Sequence, residues 1–516
     1  MAGAILLSRI LGMVRETVMF AQFGIGLDTD AYRIAVLLPD MIFMLVAGGA
    51  LSSSFIPVFS DYWHKGKKDD AWKVFNSVVT ISFVSTCVLV SLAWAFAPQI
   101  VDFFRDKKPE TVMPAAIQMS RIMLPAQIAF LVGSSLIATL YVRRHFLAPS
   151  LAPNVYNVGI ILGAAILPRA MGMGIESMAW GALIGAIIGN IVIPVILMAK
   201  AGSSFTPSFD TRHPGVRKFF LLLLPVVFGF SLPAVASLIT QKFASSYGAD
   251  GINAILGAAN NIMQAPLGIF GQSMALAAFP VLAEFVSTNR MDLYRGQVSK
   301  TLRTVLYLGV PSGAFMLALA PQIVNVLYGY GEATRSPGQL AGLADCLRVY
   351  SFGIFAWCLQ PVLMRGFFSL QKTFKPVAIG SVMTLVFIGL CMVSVRLWPT
   401  DYRMLPWAAN VAVLALVVAL YFALEKDVGK LDGVGILRTL GGSMLGAGIS
   451  GGIAYGLMVL WNPIGKGMEI LSLLIVGTVA MWAYYFVTKG LKMPETGYID
   501  RALKKLDRRS KNDNSP

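Results

Sequence analysis

Charge is what this chain has least of. Only 13% of its 516 residues are Asp, Glu, Lys or Arg, about half the share of a soluble globule. That shortage excludes the string of soluble domains that the length alone would suggest. Histidine is almost absent, and His64, His145 and His213 all fall in or beside polar segments. The four cysteines (Cys87, Cys346, Cys358 and Cys391) sit inside apolar runs. They show neither metal-ligand spacing nor a disulfide framework, and read as small packing residues. No metal cluster, nucleotide-binding loop or nucleophile–base pair is legible. An enzyme is therefore not expected, no metal or cofactor is expected, and ATP-driven transport would need a partner subunit. The Lys and Arg residues form no stripe beside aromatics, so nucleic acid is not an expected partner. No small-residue cleavage site ends the first apolar run, which argues against a cleavable signal peptide. The first helix is short on its N-terminal side, so the true start is expected upstream.

Apolar residues are what is there, at 56% of the chain with a mean hydropathy of +0.69. They fall into runs of about twenty, each long enough to cross a bilayer as a helix. The expected class is an all-α polytopic membrane protein with about fourteen transmembrane helices. The spans are placed near 2–23, 30–60, 75–104, 113–142, 148–168, 175–199, 219–247, 252–287, 302–328, 340–370, 376–397, 405–424, 434–461 and 468–488. Short connections leave no room for a soluble catalytic domain. Lys and Arg set the orientation. Lys65, Lys67, Lys68 and Lys73, then Arg143 and Arg144, Arg212, Arg217 and Lys218, Arg290, Arg295 and Lys300, and the tail at 493–516 fall on one side. That side is read as cytoplasmic, with both termini on it, and the basic tail as lying near anionic membrane lipid. Arg105, Lys107 and Lys108 are the main exception. The formal net charge of +16 is mostly this orientation signal.

The chain also repeats itself. Ala97-Pro98-Gln99-Ile100-Val101 returns as Ala320-Pro321-Gln322-Ile323-Val324, about 223 residues on. At that offset Pro57-Val58 matches Pro280-Val281, Asp61-Tyr62 matches Glu284-Phe285, and Pro153 matches Pro376. Phe23-Gly24 matches Tyr247-Gly248 one residue out of step. The offset spans six helices, an even number, so the two halves are parallel repeats about an axis along the membrane normal. This divides the chain into a first six-helix lobe at 1–210, a second at 211–428, two additional helices at 429–492 and the tail. Parallel repeats of this kind typically enclose a cavity that opens to each side in turn.

A charge inside a membrane helix costs about 2.5–3.5 kcal/mol on insertion scales, so each one is a functional candidate. Helix 1 carries Arg9, Arg15 and Glu16. Two guanidinium groups suit bidentate phosphate binding; snorkelling to the inner surface is the plainer reading of Arg9. Asp30 and Arg33 stand one turn apart in helix 2, as do Asp345 and Arg348 in helix 10. Each pair reads as an ion pair, at the surface or closing a gate. Asn260, Asn261 and Gln264 form a polar patch in helix 8, either lining a cavity or bonding helix to helix. Lys242 reads as a snorkelling residue, and Arg121 faces the cavity or the bundle interior. Gly48-Gly49 and Pro39 mark helix 2 as a hinge or as a site of close packing.

Ser8-Arg9-Ile10-Leu11-Gly12-Met13-Val14-Arg15-Glu16, Phe23-Gly24, Thr29-Asp30-Ala31-Tyr32, Leu38-Pro39-Asp40 and Gly49-Ala50-Leu51-Ser52-Ser53-Ser54-Phe55-Ile56-Pro57-Val58-Phe59 resemble the MurJ (MviN) lipid II flippases. These belong to the multidrug/oligosaccharidyl-lipid/polysaccharide exporter superfamily. The resemblance implies a V-shaped pair of six-helix lobes around a cationic cavity for a diphosphate-linked head group. It also implies a groove for the polyprenyl tail on the two added helices. Arg9 and Arg15 match the family's helix 1 arginines and Asp30 its helix 2 aspartate. The chain departs from the pattern where a helix 2 arginine is replaced by Phe43 and Met44, and a helix 2 acid by Gly48. Asn260 and Asn261 replace a helix 8 acid–arginine pair, and Gln264 replaces another acid.

The expected function is translocation of lipid II from the cytoplasmic to the outer leaflet of the bacterial cell membrane by alternating access. Arg9, Arg15, Asp30, Asn260, Asn261 and Gln264 are its candidate substrate contacts, and Glu16, Arg33, Asp345 and Arg348 its gating or ion-pair candidates. Coupling to the membrane potential or to a monovalent ion stays open, and cell-wall synthesis proteins stand as candidate partners. The alternatives are a flippase for another polyprenyl-diphosphate-linked saccharide and a drug exporter of the same superfamily.

Overall fold

A computed structural model describes residues 2–46, 50–105, 109–143, 147–200, 205–461, 463, 465–497 and 500. Side chains are described for all of these except 2–6, 44–46, 50–53, 147–150 and 224–237. Every regular element among the described residues is helical. The first stretch runs α1 (Ala2–Phe23), α2 (Leu27–Val46), α3 (Ala50–His64), α4 (Lys68–Ala95), α5 (Ala97–Arg105), α6 (Val112–Met123), α7 (Ala126–Val142) and α8 (Leu147–Met171). Next, α9 (Glu176–Ile187) passes through a π-helical turn into α10 (Ile193–Lys200), and α11 (Pro214–Ser245) follows. A second π turn joins α12 (Ile252–Pro266) to α13 (Ser273–Ser287). The rest is α14 (Met291–Tyr328), a 3-10 turn at Gly331–Arg335, α15 (Pro337–Ser369), α16 (Phe374–Leu397), α17 (Met404–Val428), α18 (Gly433–Trp461) and α19 (Lys466–Gly490).

Eleven of these helical spans are long and apolar enough to cross a membrane, by length and composition. The sequence count of about fourteen adds α1, α2 with α3, and α11. Of these, α1 carries Arg9, Arg15 and Glu16, and the glycine pair at 48–49, between α2 and α3, lies outside the described residues. The expected span at 75–104 is two elements, because the chain turns at Phe96 before Pro98 and restarts as α5. Proline is tolerated in the first turn of the new helix, where its missing N–H is not needed.

Packing divides the chain into two units. The first comprises Met1–Gly257, Tyr328–Leu340 and Cys391–Tyr402. The second comprises Ala258–Leu327, Ala341–Leu390 and Arg403–Pro516. These units differ from the division at 210 and 428 read from the repeat. The physical reason lies in α11. Its start is set by His213, whose Nδ1 accepts from the Gly215 N–H at 3.1 Å, with Pro214 as the first helical residue. Phe219 of α11 then packs edge-on to Phe55 of α3, with ring centroids 6.1 Å apart. Phe55, Phe59, Phe75 and Phe219 are all buried together, so α11 joins the first unit's core.

Elsewhere in that unit small residues let helices meet. A Cβ built on Gly159 of α8 would stand 2.6 Å from the Gly181 carbonyl oxygen of α9, so any larger residue forces the backbones apart. The second unit holds its last helix by polar contacts. Tyr484 Oη donates to the Tyr307 carbonyl at 2.7 Å, and Tyr307 Oη lies 3.0 Å from Thr488 Oγ1. Asn325 of α14 donates to both Glu469 oxygens at 2.9 Å, and Lys466 donates to the Asn325 carbonyl at 2.8 Å. Thus α19, which the repeat leaves unexplained, is bonded to α14, and α18 packs beside them, its Ala447 buried with Tyr307 and Tyr484.

Candidate functional site

The charged residues of α1 and α2 converge in the first unit. Glu16 is 2% exposed and sits between two arginines. Its Oε1 accepts from Arg15 Nη2 at 3.1 Å, and its Oε2 accepts from Arg33 Nη2. Arg15 Nη1 also donates to Asn157 Oδ1 of α8 at 3.3 Å. Asn157 is itself oriented by its Nδ2, which donates to the Pro153 carbonyl at 3.1 Å. Arg15 and Arg33 keep 24% and 15% of their side-chain surface accessible. Arg33 Nε is buried and has no hydrogen-bond partner. Its guanidinium lies against the backbone of α12, where a Cβ on Gly257 would stand 3.0 Å from Arg33 Cζ. Only glycine leaves that room without displacing the arginine.

This cluster holds two cations against one buried carboxylate. An arginine carries five donors, and Glu16 and Asn157 take only some of those on the pair. Asp40, an exposed residue of α2, lies within electrostatic reach of both arginines. What the arrangement offers is a set of fork-shaped donors inside a membrane bundle, which matches phosphate oxygens.

The structure assigns Arg33 differently from the short-range pattern. Arg33 bonds to Glu16, seventeen residues away, and not to Asp30 one turn before it. Asp30 is fully buried. Its Oδ2 accepts from the Gly251 N–H at 2.9 Å and its Oδ1 from the Ala254 N–H at 3.0 Å. A carboxylate there satisfies two orphan donors at the start of α12 and meets the positive end of that helix. Asp30 is therefore turned to α12 and away from any accessible surface.

The remaining candidates are spread out. Arg9 is half-buried on α1, six residues before Arg15 and so about 9 Å along the helix on another face. In the second unit, Asn260 and Asn261 are half-buried and Gln264 is exposed. Arg348 Nη1 donates to Asp345 Oδ1 at 2.9 Å. Arg403 approaches Asp345 Oδ2 at 3.5 Å, a second cation that the i, i+3 spacing did not reveal. Lys242 donates to the Phe103 carbonyl and lies over the Phe103 ring. Arg121 is half-exposed and lies over the Trp94 ring on the flank of the first unit. Arg33 and Asn157 are the members of the cluster that sequence reasoning did not assign to it. Arg33 was visible as a charge in an apolar helix; Asn157 carried no signal. Among the described residues no group of three His, Cys, Asp or Glu is arranged to hold a metal.

Comparison with known proteins decides the family. The family described as "Lipid II flippase MurJ" matches residues 19–475.

The chain belongs to the MurJ lipid II flippase family.

A relative from Rhizobium tropici, named a probable lipid II flippase MurJ, is 26% identical over 526 residues, covering 98% of this chain and 95% of its own. The lipid II flippase MurJ of Burkholderia cenocepacia is 25% identical over 386 residues, covering 73% and 74%. A solved MurJ structure, described as an inward closed conformation, matches the fold with a TM-score of 0.78 at 20% identity over 95% of this chain and 99% of that one. An inward-facing multidrug resistance transporter of the MATE family matches with 0.70 at 13% identity, over 81% and 94%. The MurJ fold thus extends over nearly the whole chain, and its superfamily neighbours share most of it. This family member is an all-helical, multi-pass membrane protein of a transporter family.

Proposed function

We propose that this MurJ family member moves lipid II, the polyprenyl-diphosphate-linked peptidoglycan precursor, from the cytoplasmic to the outer leaflet of the cell membrane. The observation that carries this reading is the Arg15–Glu16–Arg33 cluster, in which two guanidinium groups share one buried carboxylate. A diphosphate entering beside it would take the remaining donors, with Arg9 following along α1. Arg33 supplies a helix 2 cation ten residues before Phe43 and Met44, where the resemblance implies an arginine. Alternating access by two repeats would carry the head group across, with both termini cytoplasmic. An inside-negative potential would favour outward movement of an anionic head group by about 2.3 kcal/mol per charge per 100 mV. Lipid II and bulk membrane lipids are the ligands this reading requires, and cell-wall synthesis proteins are its candidate protein partners.

The test is rescue of cells depleted of their own lipid II flippase. The intact chain should restore growth, and Arg15→Ala should not, at equal amounts of folded protein. Rescue by Arg15→Ala would remove the phosphate role. Failure of the intact chain would favour a different polyprenyl-diphosphate-linked saccharide. The neutral amides Asn260 and Asn261, in place of an acid–arginine pair, are the observation behind that second reading.

A further inference from the structure

Among the described residues, Arg121 is bonded neither to the α1–α2 cluster nor to a carboxylate. It lies in the third turn of α6. Its guanidinium carbon sits 4.2 Å above the Trp94 ring, and its Nε donates to the Trp94 carbonyl at 3.3 Å. Those are its contacts among the described residues, and no ion pair is among them. It borders an open groove of about 590 Å³, whose walls include Trp94, Pro114, Gln118, Trp180 and Leu183.

The groove is on a face made for hydrocarbon. Val84, Val88 and Leu92 on α4 and Ile184 and Ile187 on α9 are all exposed and run away from it along the two helices. Trp94 and Trp180 are exposed as well. Trp94 is one residue from the end of α4, and Trp180 lies in the second turn of α9. Tryptophans at helix ends mark the head-group level of a bilayer. An arginine on a lipid-facing wall is costly unless its charge meets an anion or water. Stacking on the Trp94 face leaves the guanidinium edge for hydrogen bonding, and two parallel N–H donors match two phosphate oxygens. The apolar walls suit acyl chain.

The geometry points to a resident anionic glycerophospholipid on this flank, its phosphate held by Arg121 between Trp94 and Trp180 and its chains lying along the groove. With the termini cytoplasmic, this head group belongs to the outer leaflet. The site is separate from the one that receives transported lipid.

Native mass spectrometry of the purified full chain with added phosphatidylglycerol tests it. The intact protein should retain a phosphatidylglycerol whose occupancy falls about tenfold in Arg121→Gln and less in Arg121→Lys. Equal occupancy in the intact protein and Arg121→Gln would overturn the assignment. Excess inorganic phosphate should leave the lipid in place, and its displacement by phosphate would show an anion site and no lipid site. Should Arg121→Gln fail to fold, a photoreactive phosphatidylglycerol on the intact protein gives the answer. Labelling of segments 112–125 or 176–183 supports the site, and labelling confined to other segments overturns it.

Discussion

Two arginine–carboxylate networks, one in each unit, use the same chemistry with opposite arithmetic. In the first unit one acid, Glu16, lies between Arg15 and Arg33. In the second, one arginine, Arg303 of α14, lies between Asp432 and Glu495, at 3.0 and 2.7 Å. The first network keeps a surplus of guanidinium donors within the membrane helices, with Asp40 within electrostatic reach of both arginines. The second has its cation matched twice, at the ends of α18 and α19, where Thr439 also donates to Glu495 at 3.0 Å. The surplus is available to an anionic ligand, whereas the doubly matched arginine is committed to holding chain segments together. What an ion network does follows from which charge is left over, and the presence of ion pairs alone does not decide it.

The sharpest way to break the comparison is Glu16→Ala. It leaves two arginines without their buried counter-charge, a loss of about 3–5 kcal/mol for a broken buried pair. The expected outcome is a collapse of accumulation and of thermal stability in detergent. Retention of full stability would mean that the cluster is not held together by Glu16. Arg15→Ala should act on transport. Losing a charge-assisted contact of about 2 kcal/mol corresponds to about a 30-fold fall in translocation, read as lipid II flipping per folded molecule. Arg303→Ala should do the reverse. It should lower the unfolding midpoint by an amount corresponding to about 2 kcal/mol, smaller than for Glu16 because Arg303 is partly exposed, and leave flipping per folded molecule unchanged. If Arg303→Ala abolished flipping in stable protein, the division of labour between the networks would fail. Asp30→Asn should have the smallest effect, about 1 kcal/mol of stability from a weakened cap on α12. Its head-group affinity should match that of the intact chain, and a large loss of affinity instead would return Asp30 to the binding surface.

The polytopic all-helical class, the run of spans from α12 onward and the presence of charges in helix 1 were legible in the residues. A membrane helix announces itself locally, because about twenty consecutive apolar residues suffice to cross the bilayer. Element breaks were less legible where Pro98 restarts a helix at once. The cluster at Glu16 was legible only in part. Arg33 stands three residues from Asp30, the spacing of a local pair, yet its partner lies in α1. Asp30 instead serves α12, because the Gly251 and Ala254 N–H groups come within reach of its two oxygens. Partner choice among charges is set by which helices pack together, and the i, i+3 rule sees only one helix. Arg121 shows the same limit, since its flank position depends on α4 and α9 bringing Trp94 and Trp180 to one groove.

By itself, then, the sequence determined that this protein is a membrane bundle and that cations lie within it, since both are properties of short windows of chain. Only the tertiary structure decided which cation is matched, which is left over and which acid is a cap. Those outcomes depend on distances between helices that are remote in sequence, and on burial, which sets how costly an unmatched charge is.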